Sequence, residues 1–180
     1  MMPGKIFLTG QPGSGKSTVF MRCIELLREM SYSVGGISTP EIRRRGRRVG
    51  FSVVDIATDR REVLAGVDIK SAYRVGRYGV NLLGFESVAL PAIDYAEDSC
   101  DVVCIDEIGR MELFSEPFKR KVEGLMRGPK PLVAVLHRNY AREYGVIGEL
   151  YHVYHENRDA LPRIIVSSLE RQLKRKKSRT

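Results

Sequence analysis

The sequence predicts an α/β fold in three layers, with helices on both faces of a mainly parallel central sheet and an antiparallel hairpin inserted at its side. Three observations carry this prediction. Short apolar runs at 5–9, 102–105 and 132–136 have the length and composition of strands buried on both faces. Segments of helical periodicity alternate with them, the first being Val19, Phe20, Cys23, Ile24 and Leu27. Between the first strand and the first helix lies Gly10-Gln11-Pro12-Gly13-Ser14-Gly15-Lys16-Ser17, so the order is strand, glycine loop, helix. Strands alternating with helices imply layers joined by right-handed crossovers.

Taken in order, Lys5–Thr9 forms the first strand and residues 16–30 the first helix, followed by a short strand at 34–39. Val49 to Ile56 alternates in part, and Arg61 to Ala65 follows a Thr58-Asp59 break, which is the pattern of an antiparallel hairpin. Residues 66–81, rich in glycine and arginine, read as an ordered loop ending in a short strand. A helix is expected over 84–97, kinked or interrupted at Pro91. The apolar run Val102-Val103-Cys104-Ile105 is a central parallel strand tipped by Asp106-Glu107. Phe114 to Met126 is helical, with Phe118, Val122, Leu125 and Met126 on one side; Leu132 to Leu136 is a second buried strand, and Tyr151 to Tyr154 a further one. Residues 161–176 form a last amphipathic helix, entered through Pro162 in its first turn.

Composition excludes several classes. At 180 residues, 43% hydrophobic and 29% charged, the chain can bury a core and is not a disordered polymer. It has no apolar run of bilayer length and no signal-peptide layout, so a cytoplasmic protein away from membranes is expected. Cys23, Cys100 and Cys104 sit in apolar contexts and read as core thiols. The net charge of +8 is unevenly spread: Arg171, Lys174, Arg175, Lys176, Lys177 and Arg179 supply six of it, leaving +2 on residues 1–170. We therefore read residues 1–170 as one domain and 171–180 as a basic C-terminal tail. The cluster Arg43-Arg44-Arg45-Gly46-Arg47-Arg48 reads as a loop feeding the hairpin. It has no aromatic residue before Phe51 on which a base could stack, so nucleic acid is possible but not favoured. A monomer is expected.

The glycine loop matches G-x-x-x-x-G-K-[ST], the phosphate-binding loop of nucleotide hydrolases and kinases. Backbone N–H groups and a helix N-terminus aim at one point and attract a phosphate chain. Gly10, Gly13 and Gly15 let the loop approach the phosphates, with Gln11, Pro12 and Ser14 between them. Lys16 supplies a mobile cation for the β- and γ-phosphates, and Ser17 a hydroxyl for Mg²⁺. Asp106 is the expected second ligand of Mg²⁺, commonly through water. Glu107 beside it can orient and polarise a water for attack on the γ-phosphorus. If another strand lies between the loop strand and the Asp106 strand, then His137, Arg138 and Asn139, at the end of the 132–136 strand, face the γ-phosphate. Arg77 and Arg110 are further candidates for cationic help.

Beyond single motifs, five segments resemble one family together: Gly10 to Thr18, Arg47-Arg48-Val49-Gly50-Phe51, Val75-Gly76-Arg77-Tyr78-Gly79-Val80, Ile105-Asp106-Glu107-Ile108-Gly109-Arg110-Met111-Glu112-Leu113 and Glu156-Asn157-Arg158-Asp159. They are similar to the small P-loop nucleoside-triphosphatases first recognised in thermophiles, a family that includes the human cancer-related nucleoside-triphosphatase. The resemblance implies a RecA-like P-loop fold. It implies Mg²⁺-dependent release of phosphate from several nucleoside triphosphates, with weaker action on diphosphates. It also carries the roles above onto Lys16, Ser17, Asp106 and Glu107. By the same token Val102, Val103, Cys104, Ile105, Asp106, Glu107, Ile108 and Gly109 join 10–18 as nucleotide-contacting residues. Arg110 stands where many relatives carry lysine, and the tail beyond Glu170 is outside the shared pattern.

The expected activity is hydrolysis of ATP, GTP, CTP and UTP or TTP to diphosphate and phosphate, with Lys16, Glu107, Arg138 and Arg77 as catalytic candidates. Nothing in the sequence commits to one base, although Asn157 and Arg158 are candidates to contact it. The rival readings are a nucleotide or small-molecule kinase and a nucleic-acid-stimulated ATPase.

Overall fold

Alternation of side chains along each strand lets one sheet serve two cores. In the computed structural model, which describes residues 2 and 4–177, the elements are β1 (Lys5–Thr9), α1 (Lys16–Glu29), β2 (Val34–Ser38), β3 (Glu41–Arg44), β4 (Arg47–Asp55), β5 (Arg61–Gly66), β6 (Arg74–Val75), β7 (Tyr78–Val80), α2 (Leu82–Ser99), β8 (Val102–Ile108), α3 (Glu116–Arg127), β9 (Leu132–Leu136), α4 (Ala141–Tyr144), β10 (Glu149–His152) and α5 (Leu161–Lys177). Ile6 and Leu8 of β1, Val102 and Cys104 of β8 and Val133 and Val135 of β9 share one core with Phe20, Ile24 and Leu27 of α1 and Ile165 and Leu169 of α5. The intervening Phe7, Val103, Ile105, Ala134 and Leu136 face the other way, onto Phe85, Ala89 and Ile93 of α2 and Phe118, Val122 and Leu125 of α3. Two helical layers thus enclose the sheet.

The strand order is β10-β1-β9-β8-β2-β4-β5-β7-β6, with β3 also paired to β4. The strands from β10 to β2 are mutually parallel. The rest are antiparallel. β9 lies between β1 and β8, so the glycine loop and the acidic strand tip are separated by one strand at the same edge. At that edge the last residue of β2, Ser38, pairs with Asp106 of β8.

Several elements differ from the sequence reading. The antiparallel part is a five-stranded wing rather than one hairpin. The arginine cluster is not a loop: Arg43 pairs with Arg48 and Arg44 with Arg47 across a tight β3–β4 turn. That turn holds Arg45 at φ 49° and Gly46 at φ 77°, the paired positive angles that two-residue hairpins need. Residues 66–81 contain the β6–β7 hairpin. α2 runs unbroken from Leu82 to Ser99 through Pro91. Pro91 and Ser87, whose carbonyl loses its helical donor, are both exposed, so water can take that acceptor. β8 continues three residues past Ile105, to Ile108. Of the basic tail, Arg171 and Lys174 continue α5, with Lys174 paired to Glu170 at 2.7 Å; residues 178–180 lie outside the described residues. Cys23, Cys100 and Cys104 are free and buried. Among the described residues no helix is long and apolar enough to cross a membrane.

Candidate active site

The glycine loop occupies the turn from β1 to α1, at the C-terminal ends of the parallel strands. Its shape explains its composition. Gly15, the residue before α1, has φ 99°, a conformation costly for any residue with a Cβ. At Gly10 the obstacle is contact: a Cβ would stand 2.6 Å from the Val153 carbonyl oxygen and 2.7 Å from Ser14 Oγ. The Lys16 ammonium folds back over the loop, donating to the carbonyls of Gly10 (3.1 Å) and Gln11 (3.0 Å). Two hydroxyls here, Thr9 Oγ1 and Ser14 Oγ, are buried with no hydrogen-bond partner among the described residues.

The acidic tip of β8 meets the loop. The Ser17 hydroxyl is near enough to the Asp106 carboxylate to stabilise its charge, and Lys16 acts electrostatically on both Asp106 and Glu107. A bulge makes this juxtaposition. Asp106 pairs with Val135 and Ile108 with Leu136, which leaves Glu107 out of the ladder. Bulges re-aim a side chain that strict alternation would send to the opposite face. The Asp106–Glu107 peptide is cis.

Burial dominates the electrostatics. It pushes the Asp106 carboxyl up to about 7, with the Ser17 hydroxyl and Lys16 opposing and Glu107 adding. Burial also raises Glu107, while Lys16 pulls it back. His137 is lowered, first by burial and then by Arg138 and Lys16, so its imidazole is neutral at pH 7.

The end of β9 supplies the third side of the site. Arg138 reaches across and donates to Gln11 Oε1 at 2.9 Å. Asn139 stays local, its N–H donating to His137 Nδ1 at 3.3 Å. Arg77 is held in the wing instead, donating to the Arg48 carbonyl and to the Tyr78 hydroxyl at 3.1 Å. Arg48 lies over the Phe51 ring in the same cluster, 5.3 Å from its centroid. On the β10 side, Arg158 Cδ approaches to 3.1 Å of a Cβ placed on Gly15. Asn157 spends its side chain on its own loop: Oδ1 accepts from Tyr154 N (2.8 Å) and Nδ2 donates to the His152 carbonyl (2.9 Å).

One residue of the site escaped sequence reasoning. Glu112, in the 3₁₀ turn after β8, is only 3% exposed. A Cβ on Gly109 would meet Glu107 Oε1 at 2.9 Å and Glu112 Oε2 at 3.0 Å, so the two carboxyl groups flank the same glycine. Burial and then the charge of Glu107 raise Glu112 well above the carboxylate range, against the opposing pull of its own backbone N–H and that of Gly109. The available signal was an acid between Met111 and Leu113, both packed on the core; its orientation needed the fold. Replacement by the isosteric amide, Glu112→Gln, is expected to leave the thermal midpoint unchanged or raised. Glu112→Lys is expected to cost about 3–5 kcal/mol by burying an unpaired charge. Thermal melts of both variants check this.

A phosphate-loop strand, an inserted strand and an acid-tipped strand sharing one edge define a P-loop nucleotide-binding enzyme. Residues 5–166 match the family model described as NTPase. The chain is 39% identical over 170 residues to nucleoside-triphosphatase THEP1 of Methanocaldococcus jannaschii, covering 94% of this chain and 99% of the relative. It is 49% identical over 134 residues to that of Methanothermobacter thermautotrophicus, covering 74% and 76%. The crystal structure of THEP1 from Aquifex aeolicus superimposes with a TM-score of 0.79 at 31% identity, over 92% of this chain and 99% of the other. The solution structure of a human cancer-related nucleoside triphosphatase gives 0.75 at 33%, over 91% and 95%. The chain belongs to this nucleoside-triphosphatase family and is an enzyme of that class.

Proposed function

We propose that the protein hydrolyses nucleoside 5′-triphosphates (ATP, GTP, CTP and UTP or TTP) to the diphosphate and phosphate, with Mg²⁺ and with weaker action on diphosphates. The observation that carries the reading is the meeting of the glycine loop with the acidic tip of β8: Ser17 and Lys16 are both near enough to stabilise the Asp106 carboxylate, and Glu107 lies within the field of Lys16. The orphan hydroxyl of Ser14 supports it, because a buried hydroxyl without a partner costs about 1–3 kcal/mol unless a ligand completes it.

In this reading the segments 10–18 and 102–109 surround the polyphosphate. Lys16 moves from its two loop carbonyls onto the β- and γ-phosphates. Glu107 holds a water in line with the γ-phosphorus and takes its proton as the new P–O bond forms and the β–γ bond breaks. Burial of Glu107 favours proton uptake, which suits a base. Arg138, already over Gln11, is better placed than Arg77 to meet charge developing on the γ-phosphoryl group.

The donor set at the loop fits Mg²⁺. Ser17 and Asp106 converge as one hydroxyl and one carboxylate, hard oxygen ligands of the kind that ion takes together with phosphate and water. Among the described residues no group of three or more His, Cys, Asp and Glu forms a cage for a metal. When bound, Mg²⁺ would neutralise charge on the β- and γ-oxygens. We further take residues 1–170 as the working domain, a cytoplasmic monomer for which nucleic acid is not the favoured partner.

Phosphate release from ATP, GTP, CTP and UTP tests this, with Mg²⁺ or EDTA and with or without RNA. Release from all four, dependent on Mg²⁺ and indifferent to RNA, is expected. Release that waits on an added acceptor would indicate a kinase, and release that needs RNA a nucleic-acid-stimulated ATPase.

A further inference from the structure

The segment following β10 runs along the glycine loop. Val153 N–H donates to the Thr9 carbonyl at 2.7 Å, and the Val153 carbonyl touches Gly10. Five residues on, Arg158 covers Gly15 at the start of α1. On either side of Val153 stand two aromatic side chains that the chemistry at the phosphates does not use. The rings of His152 and Tyr154 stack 6.3 Å apart, at 15° to one another. Both residues are exposed, Tyr154 by 55%.

The segment is also fixed. Asn157 bonds the Tyr154 N–H and the His152 carbonyl, and Arg158 N–H donates to the Tyr154 carbonyl at 3.2 Å. The backbone that carries this exposed aromatic face is therefore held beside the loop that takes phosphates, with the His152 ring parallel to that of Tyr154. Leaving such a face exposed forgoes apolar burial, and preorganising it lowers the cost of binding a planar partner.

We propose that Tyr154 is the platform on which the nucleobase of the substrate stacks, with His152 supporting it from behind. Arg158 bridges the platform and the α1 N-terminus, where the phosphates nearest the ribose would lie. Every base has a π-face, so a stacking platform binds purines and pyrimidines without hydrogen-bond readout. The proposal rests on the nucleotide-binding reading above and adds the subsite for the base.

Tyr154→Ala is expected to raise KM for ATP, GTP, CTP and UTP by about 10-fold each, with a smaller change in kcat. Tyr154→Phe, which keeps the ring, should recover most of that loss. Inorganic tripolyphosphate, which has no base, should inhibit wild type and Tyr154→Ala with the same Ki. Unchanged KM values in Tyr154→Ala overturn the platform, as does a Ki for tripolyphosphate that rises in parallel. Equilibrium dialysis of ATP in EDTA repeats the comparison without turnover. If wild type binds ATP but releases no phosphate, the hydrolytic reading fails while the dialysis still decides the platform.

Discussion

Glu107→Gln should bind ATP as wild type does and release phosphate about 10²–10⁴ times more slowly, the usual contribution of a positioned general base. The amide keeps the shape of the side chain and its place in the β8 bulge, but it cannot accept a proton. Loss of one carboxylate beside a polyphosphate also removes repulsion, so affinity should hold or rise slightly. Single-turnover phosphate release, alongside equilibrium binding of a fluorescent ATP analogue, separates the two quantities. Turnover equal to wild type would remove Glu107 from the mechanism. A matched fall in binding would make it a structural residue of the loop.

Lys16→Ala should lower kcat/KM by at least about 10²–10³-fold through loss of a preorganised cation at the phosphates. The effect is expected in both binding and turnover, unlike that of Glu107→Gln. In the structure the Lys16 ammonium is held by the carbonyls of Gly10 and Gln11, so its removal also frees two loop acceptors. The bond to Gln11 is exposed and that to Gly10 only part-buried, so the fold should survive; the thermal midpoint of Lys16→Ala should stay close to that of wild type. Lys16→Arg tests geometry against charge. The planar guanidinium keeps the charge but not the compact ammonium that fits this turn, so most of the activity should remain lost. Steady-state kinetics on ATP with Mg²⁺ for both variants checks these expectations.

How far the sequence revealed this arrangement depended on whether the information was local. The loop from Gly10 to Ser17 and the run from Val102 to Asp106 were legible, because backbone freedom, charge and burial act there within a few residues. The placement of β9 between them was legible only as a condition, which the strand order met. The β3–β4 turn was hidden, because Arg45-Gly46 is not one of the usual pairs for such turns and Arg45 is forced to φ 49° by the strands it joins. The bulge at Glu107 was hidden for a related reason. An Asp-Glu pair after an apolar run looks the same whether it ends the strand or continues it, and only the register with β9 distinguishes them. Glu112 and Asn157 show the same limit at side-chain level. Their identities were visible, but the direction of each was decided by partners brought in by the fold: Glu107 across Gly109 for one, Tyr154 and His152 for the other.

The same logic separates the arginines. Arg77 and Arg138 have equal standing as cations in a sequence. In three dimensions the Arg77 guanidinium is bound to Tyr78 and the Arg48 backbone, whereas Arg138 bonds Gln11 of the loop. Charge counts alone cannot make that distinction, and the bond to Gln11 is what supports the proposal of Arg138 for the γ-phosphate side.

What distinguishes hydrolysis at the γ-phosphorus from the rival chemistries is the fate of one oxygen atom. Turnover of ATP in ¹⁸O-enriched water, with Mg²⁺ and no added acceptor, should place one solvent oxygen in the released phosphate and none in ADP, as mass spectrometry of both products would show. Label in ADP, or phosphate free of it, would mean that no water directed by Glu107 attacks the terminal phosphorus.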